Sequence, residues 1–173
     1  LDLNLAREKA KNQKWKAIAH LDKELEKFEA LLVKRGVKVI WAENAAQAQE
    51  EIGKICREKK CKTLVKSKSM VTEEIHLNDY LEKMGIESVE TDLGEYIQQL
   101  DGEPPYHIVT PAMHKSKDDV AKLFHEKLGT DRKATPEELT LIARGILRDK
   151  YVKAEVGVTG ANFIVAEIGR AHV

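Results

Sequence analysis

The sequence predicts an α/β fold: a mostly parallel sheet with helices on both faces, preceded by a long N-terminal helix. Three observations lead there. Short β-branched runs alternate with amphipathic stretches of about ten residues or more, turn residues punctuate most junctions, and no internal repeat or low-complexity linker divides the chain. Composition agrees with one ordinary domain, since 173 residues with a 42% apolar fraction are enough for a sizeable core.

The elements follow in order. Trp15, Ile18, Leu21, Leu25, Phe28 and Leu32 recur at spacings of three and four, which predicts one amphipathic helix to about Lys34, ended by Arg35-Gly36. Val37-Lys38-Val39-Ile40-Trp41 reads as a strand. Asn44 is placed to cap a second helix whose Ala48, Ile52, Ile55 and Cys56 share a face. A short strand around Thr63-Leu64-Val65, a helix over 71–84 stopped by Gly85, and a strand over 86–89 come next. A helix over 92–100, the turn Asp101-Gly102-Glu103-Pro104-Pro105 and a fourth strand, His107-Ile108-Val109-Thr110, follow. Helices are expected over 116–128 and 135–151, then two short strands flanking Thr159-Gly160-Ala161-Asn162.

Both ends carry expectations of their own. The chain opens at Leu1 inside a helical pattern, so further residues are expected before it. Ile168-Gly169-Arg170-Ala171-His172-Val173 is what a common sequencing adapter encodes in frame, so 168–173 is expected to be an artefact outside the fold. The expected organisation is an N-terminal helix over 1–35 and a domain over 36–167.

Charge and composition exclude several classes of function. Lys plus Arg and Asp plus Glu balance at 29 each, so no net field attracts nucleic acid or anionic lipid. No apolar run is long enough to span a membrane and the N-terminus lacks a signal-peptide pattern, which predicts a cytoplasmic location. Cys56 and Cys61 form neither a C-x-x-C pair nor a disulfide framework and read as reduced thiols. His107 and His114 stand seven apart around a predicted strand, which is not metal-ligand spacing, and no metal site is expected in these residues.

In an open parallel sheet, ligands bind outside the carboxyl ends of the strands. The loops predicted at that edge are Lys66-Ser67-Lys68-Ser69-Met70, Glu90-Thr91-Asp92, Pro111-Ala112-Met113-His114-Lys115 and Thr159-Gly160-Ala161-Asn162. The candidate ligand-binding residues are therefore Lys66, Ser67, Lys68, Ser69, Thr72, Glu90, Asp92, His114, Lys115, Thr159, Gly160 and Asn162. Two ammonium groups, hydroxyls and free backbone N–H groups suit a phosphate or carboxylate. Alternatively, Ser69 or Thr72 merely caps the helix and the lysines are solvated. Glu74 falls on the stripe Met70, Glu74, Leu77, Leu81, Met84, so its carboxylate is expected to face the sheet as a candidate catalytic group or a lysine's partner. Asp92-Leu93-Gly94-Glu95 and Thr135-Pro136-Glu137-Glu138 read as capping boxes. Thr159-Gly160-Ala161-Asn162 is either a hairpin turn or a loop that permits close backbone approach to a ligand.

Taken together, Lys66-Ser67-Lys68-Ser69-Met70-Val71-Thr72-Glu73-Glu74-Ile75, Leu77-Asn78 and Val89-Glu90-Thr91-Asp92-Leu93-Gly94-Glu95-Tyr96-Ile97 resemble the LUD domain of LutB-type lactate utilisation proteins. The likeness continues through Pro111-Ala112, His114-Lys115, Thr135-Pro136-Glu137-Glu138-Leu139, Ala143-Arg144 and Gly157-Val158-Thr159-Gly160-Ala161-Asn162-Phe163. The resemblance implies a fold similar to the NagB, ribose-phosphate isomerase and CoA-transferase group, here truncated at its C-terminus. It also implies a subunit of a complex that oxidises L-lactate to pyruvate, with 4Fe-4S clusters in a following cysteine-rich region. The implied partners are the other subunits and a small anionic ligand, with no nucleic acid and no membrane span. Two cysteines cannot supply the four thiolates of such a cluster, so these residues are expected to hold none and to be inactive alone. Two other readings stay open: a non-catalytic interaction scaffold for the complex, or an enzyme domain acting on a small anion or phosphosugar.

Overall fold

The computed structural model describes residues 2–107 and 109–172. The chain divides into two units, Leu1–Trp41 with Ala161–Val173, and Ala42–Gly160.

In the first unit, the expected single helix is two: α1 (Leu3–Ala19) and α2 (Leu21–Lys34), interrupted at His20 with φ −130° and ψ 33°. Asp2 caps α1 by accepting from the backbone N–H groups of Asn4 and Leu5. Neither helix has a fully buried residue, and Trp15, Ile18 and Leu21 stand exposed. Residues 37–41 form no strand, because no extended segment among the described residues pairs with them. The unit also holds β4 (Phe163–Val165) and β5 (Arg170–His172), an antiparallel pair joined by a 3-10 turn over Ala166–Ile168. Arg35 Nη1 donates to the Gly169 carbonyl at 2.6 Å.

The second unit is built on a three-stranded parallel sheet, β1 (Thr63–Lys66), β2 (Glu87–Glu90) and β3 (Val156–Val158), in the order β2-β1-β3. Strand alternation sends Leu64 and Val65 to opposite faces. Leu64 joins Cys56, Leu77, Leu81 and Ile86 in a core under α3 (Ala45–Glu58) and α5 (Leu77–Lys83). Val65 faces the side of α8 (Pro136–Lys153), where it lines a cavity with Tyr151 and Ala154. A second core, centred on Phe124, Ile97 and Leu139, packs α6 (Leu93–Asp101), α7 (Lys117–Leu128) and α8 together. Helices therefore cover both faces of a parallel sheet, as the alternating pattern predicts.

Local chemistry sets most boundaries. Asn44 caps α3 through the Gln47 N–H, and Ser116 and Thr135 form reciprocal boxes with Asp119 and Glu138 at the starts of α7 and α8. The helix expected over 71–84 is broken: α4 (Met70–Glu74) ends and His76 adopts φ 48°, ψ 45° before α5 begins. Gly85, at φ 75°, terminates α5 where a side chain would be strained. Of the fourth strand expected over 107–110, Ile108 lies outside the described residues and its neighbours are turn, bend and coil. The two final strands are not a hairpin either, since β3 pairs with β1 and β4 pairs with β5. Cys56 and Cys61 are both buried and unbridged; burial pushes both thiols up, that of Cys61 to about 11.

Candidate functional site

The carboxyl ends of β1 and β2 carry one connected group of polar side chains inside the second unit. Lys66, the last residue of β1, is 1% exposed, and its ammonium uses all three donors: Thr72 Oγ1 at 3.0 Å, Glu90 Oε1 at 2.7 Å, and Glu73. Burial alone would lower the Lys66 pKa, but the bonds to Glu73 and Glu90 outweigh it and hold the group charged. Glu90 Oε1 also accepts from Asn78 Nδ2 at 2.9 Å, and Asn78 Oδ1 in turn accepts from Ser88 Oγ at 2.8 Å. Gln99 closes the network, accepting from the Glu90 N–H and donating to the Ser88 carbonyl.

Glu95 is the least expected member. Its carboxyl does not reach back to the Asp92 N–H: Asp92 caps α6 by accepting from the N–H groups of Gly94 and Glu95, while neither oxygen of the Glu95 carboxylate has a hydrogen-bond partner. The carboxyl is instead turned inward, 2% exposed, with Oε1 3.2 Å from His107 Nδ1. That approach is out of line for a hydrogen bond, so both Glu95 oxygens, both His107 ring nitrogens and Glu90 Oε2 are buried without a hydrogen-bond partner. Burial first, then the charge of Glu90 and a side-chain hydrogen bond between the two carboxyls once Glu95 takes a proton, then the charge of Asp92, push the Glu95 pKa up to about 8 against the smaller pull of Lys66. Glu73, Glu90, Glu95 and His107 wall a cavity of about 440 Å³ that is bounded also by Asn78, Gln99 and the 102–107 segment, with Asp79 and Glu82 at its exposed edge.

The residues expected at the rim are thus dispersed among different roles. Lys66 is enclosed by acids rather than open to an anion, because two carboxylates and a hydroxyl already occupy its donors. Glu74 does not face the sheet: α4 ends at Glu74 itself, the helical stripe is interrupted at His76, and Glu74 is exposed while Glu73 turns in to Lys66. Ser69 caps α4 through the Thr72 N–H, and Thr72 Oγ1 donates back to the Ser69 carbonyl at 2.8 Å. Lys68 is exposed. Ser67 Oγ donates to Thr159 Oγ1 at 2.8 Å beside a second cavity of about 500 Å³ that Thr91, Tyr151 and Gly157 also line. Gly160 lies close against the protein's own Ser69: a Cβ there would lie 2.9 Å from Ser69 Oγ. Asn162 belongs to the other unit, where its N–H donates to the His172 carbonyl.

His114 and Lys115 form a separate cluster on the 102–107 side. Glu103 accepts from Lys115 at 3.1 Å and lies 2.9 Å from His114 Nε2, and Lys115 also pairs with Asp101. The bonds from His114 and Lys115 lower the Glu103 pKa, and the bond to Asp101 raises that of Lys115. The sequence reading overlooked Glu73, Glu95, Asn78 and Gln99. A signal for them was present in Ser88 and Glu90, two polar residues inside a buried strand that must find partners on neighbouring elements.

Among the described residues, no group of three or more His, Cys, Asp or Glu is arranged to hold a metal ion. No helix is long and apolar enough to cross a membrane among those residues.

The model of the LUD domain family matches residues 25–173. The chain is 48% identical over 153 residues to Lactate utilization protein B of Bacillus pumilus, covering 88% of this chain and 32% of that protein. It is 50% identical over 153 residues to the protein of the same name from Macrococcus caseolyticus, again 88% of this chain and 32% of the relative. For that of Anoxybacillus flavithermus the identity is 45% over 177 residues, 96% of this chain and 38% of the relative. The chain spans about a third of the length of these curated relatives. No solved structure matches. The chain belongs to the LUD domain family.

Proposed function

We propose that this LUD domain is part of a lactate utilisation protein of the B type, serving a multi-subunit system that oxidises L-lactate to pyruvate. The observation that carries the reading is the 45–50% identity to three proteins of that name, sustained over most of this chain. The reaction removes two electrons and two protons from the C–OH carbon and its hydroxyl. The proposed carriers of those electrons, 4Fe-4S clusters, do not fit these residues: two buried thiols cannot supply four thiolates. They are assigned to the rest of the protein.

Within this domain, the proposed place for a small carboxylate is the second cavity, not the acidic one walled by Glu90 and Glu95. Ser67 and Thr159 present hydroxyls there, Lys68 follows on the same connection with no ion pair among the described residues, and no acidic side chain among them lines the wall. The test is lactate-dependent dye reduction by the full-length protein purified with its neighbouring subunits. The expected result is reduction that requires lactate and is weakened by Ser67→Ala combined with Lys68→Ala. Dye reduction indifferent to lactate overturns the functional reading, and an unaffected double variant overturns the site.

A second reading, a scaffold without chemistry, is favoured by one observation: Trp15, Ile18 and Leu21 are about one-half to two-thirds exposed on α1 and α2. It predicts that removing residues 1–34 abolishes co-purification of the other subunits, while the Ser67 and Lys68 changes leave activity intact.

A further inference from the structure

We propose that the cavity bounded by α4, α5, the end of β2, α6 and the 102–107 segment binds a small organic cation, its ammonium or guanidinium group seated between Glu90 and Glu95. About 440 Å³ is room for a ligand of several heavy atoms. The lining is strongly acidic, and the one buried ammonium beside it, Lys66, has no donor left to give. Three carboxylate oxygens, Glu90 Oε2 and both of Glu95, are buried with no donor from any other side chain or the backbone, only the proton that Glu95 itself carries. A buried acceptor left unsatisfied costs about 1–3 kcal/mol, and an ammonium or guanidinium brings three or five donors to such acceptors. An anion would meet the same carboxylates as repulsion. A metal ion is the poorer fit, since no three metal-ligating side chains converge among the described residues.

The proton on Glu95 is the occupant such a cation replaces. The titratable groups around that carboxyl are Lys66 from β1, Glu73 from α4, Glu90 from β2, Asp92 at the start of α6, and His107. Of these only Lys66 opposes the accumulated negative charge, and it is already shared by Glu73 and Glu90. With its pKa raised to about 8, Glu95 is mostly protonated at pH 7, so a cation that binds its charged form releases a proton.

The experiment is isothermal titration of the full-length protein with propylammonium and with methylguanidinium, using propanol and lactate as neutral and anionic controls. Saturable binding of the cations alone is expected, tightening by up to about tenfold per pH unit from 6 to 8. Titration in buffers of different ionisation enthalpy should show close to one proton released at pH 7. Glu95→Gln should weaken binding at least about tenfold and remove the pH dependence, and Glu82→Gln, at the exposed edge, should change affinity less than about twofold. The proposal is overturned by the absence of saturable cation binding, by an equal affinity in Glu95→Gln, or by Mn2+ binding the site more tightly than either organic cation. If Glu95→Gln does not fold, proton release by the unaltered protein decides: none released overturns the proposal.

Discussion

Lys66 and Glu90 are register partners in the parallel β1–β2 pair, and the ammonium of one stands 2.7 Å from the carboxylate of the other with both side chains almost completely buried. A buried ion pair of this kind gains little over an apolar pair, but removing one partner strands the other. Lys66→Met is therefore expected to cost about 3–5 kcal/mol, because it leaves Glu90 and Glu73 uncompensated. Lys68→Met, two residues on and exposed, should change stability by less than about 0.5 kcal/mol. Urea midpoints of the two variants check the contrast; equal midpoints would mean that the Lys66 network adjusts freely.

Glu95 gives the fold a pH dependence. Its folded pKa, about 8, lies above the ordinary 4.5, so between these values the native state holds a proton that the unfolded chain has lost. The contribution of that group is fully present below pH 4.5 and is lost as pH rises through 8. Glu95→Gln, which keeps the shape and removes the titration, should gain stability relative to the parent from pH 5 to pH 8 and then level off. Thermal melts of both proteins across that range measure the difference, and a constant offset would show that Glu95 titrates normally.

Gly160 and Ser69 form a steric pair. Gly160→Ala places a methyl 2.9 Å from Ser69 Oγ, which must move and release the α4 cap. A cost of about 1–3 kcal/mol is expected. In a Ser69→Ala background the same change should cost at least about 0.5 kcal/mol less, and a double-mutant cycle that is strictly additive would remove the proposed coupling.

Among the described residues His76 is one of two non-glycine residues at positive φ, and its side chain is 78% exposed. His76→Gly is expected to stabilise the protein by about 0.5 kcal/mol, since relief of left-handed strain exceeds the added freedom of the unfolded chain. The melting temperature should rise by about 1–2 °C. A fall would mean that the imidazole makes a stabilising contribution greater than the strain.

How far the sequence could be read followed the range of the interactions. Asn44, Asp92, Ser116 and Thr135 cap helices within three or four residues of themselves, and α3, α6, α7 and α8 start where those residues stand. Strands depend on distant partners: Thr63–Lys66 and Glu87–Glu90 found theirs, while Val37 to Trp41, equally β-prone, has none among the described residues. The acidic site was hidden for the same reason. Glu95 matches a capping pattern locally, and only the packing of α6 against β2 turns it toward Glu90 and His107. One backbone angle at His76 exchanged Glu74 for Glu73, a change that helical periodicity cannot anticipate.

The strand order has a consequence for how the domain is made. Thr63 and Glu87, paired across β1 and β2, are only 24 residues apart, whereas the bond from Ser67 to Thr159 beside β3 spans 92. Contacts that close a short loop form sooner, and chains fold from the N-terminus as they emerge from the ribosome. Lys66, Glu73 and Glu90 can neutralise one another while β3 is still unsynthesised, so the half-made chain already shelters its most costly charges, and the bare flank of β1 is the surface that a chaperone would meet.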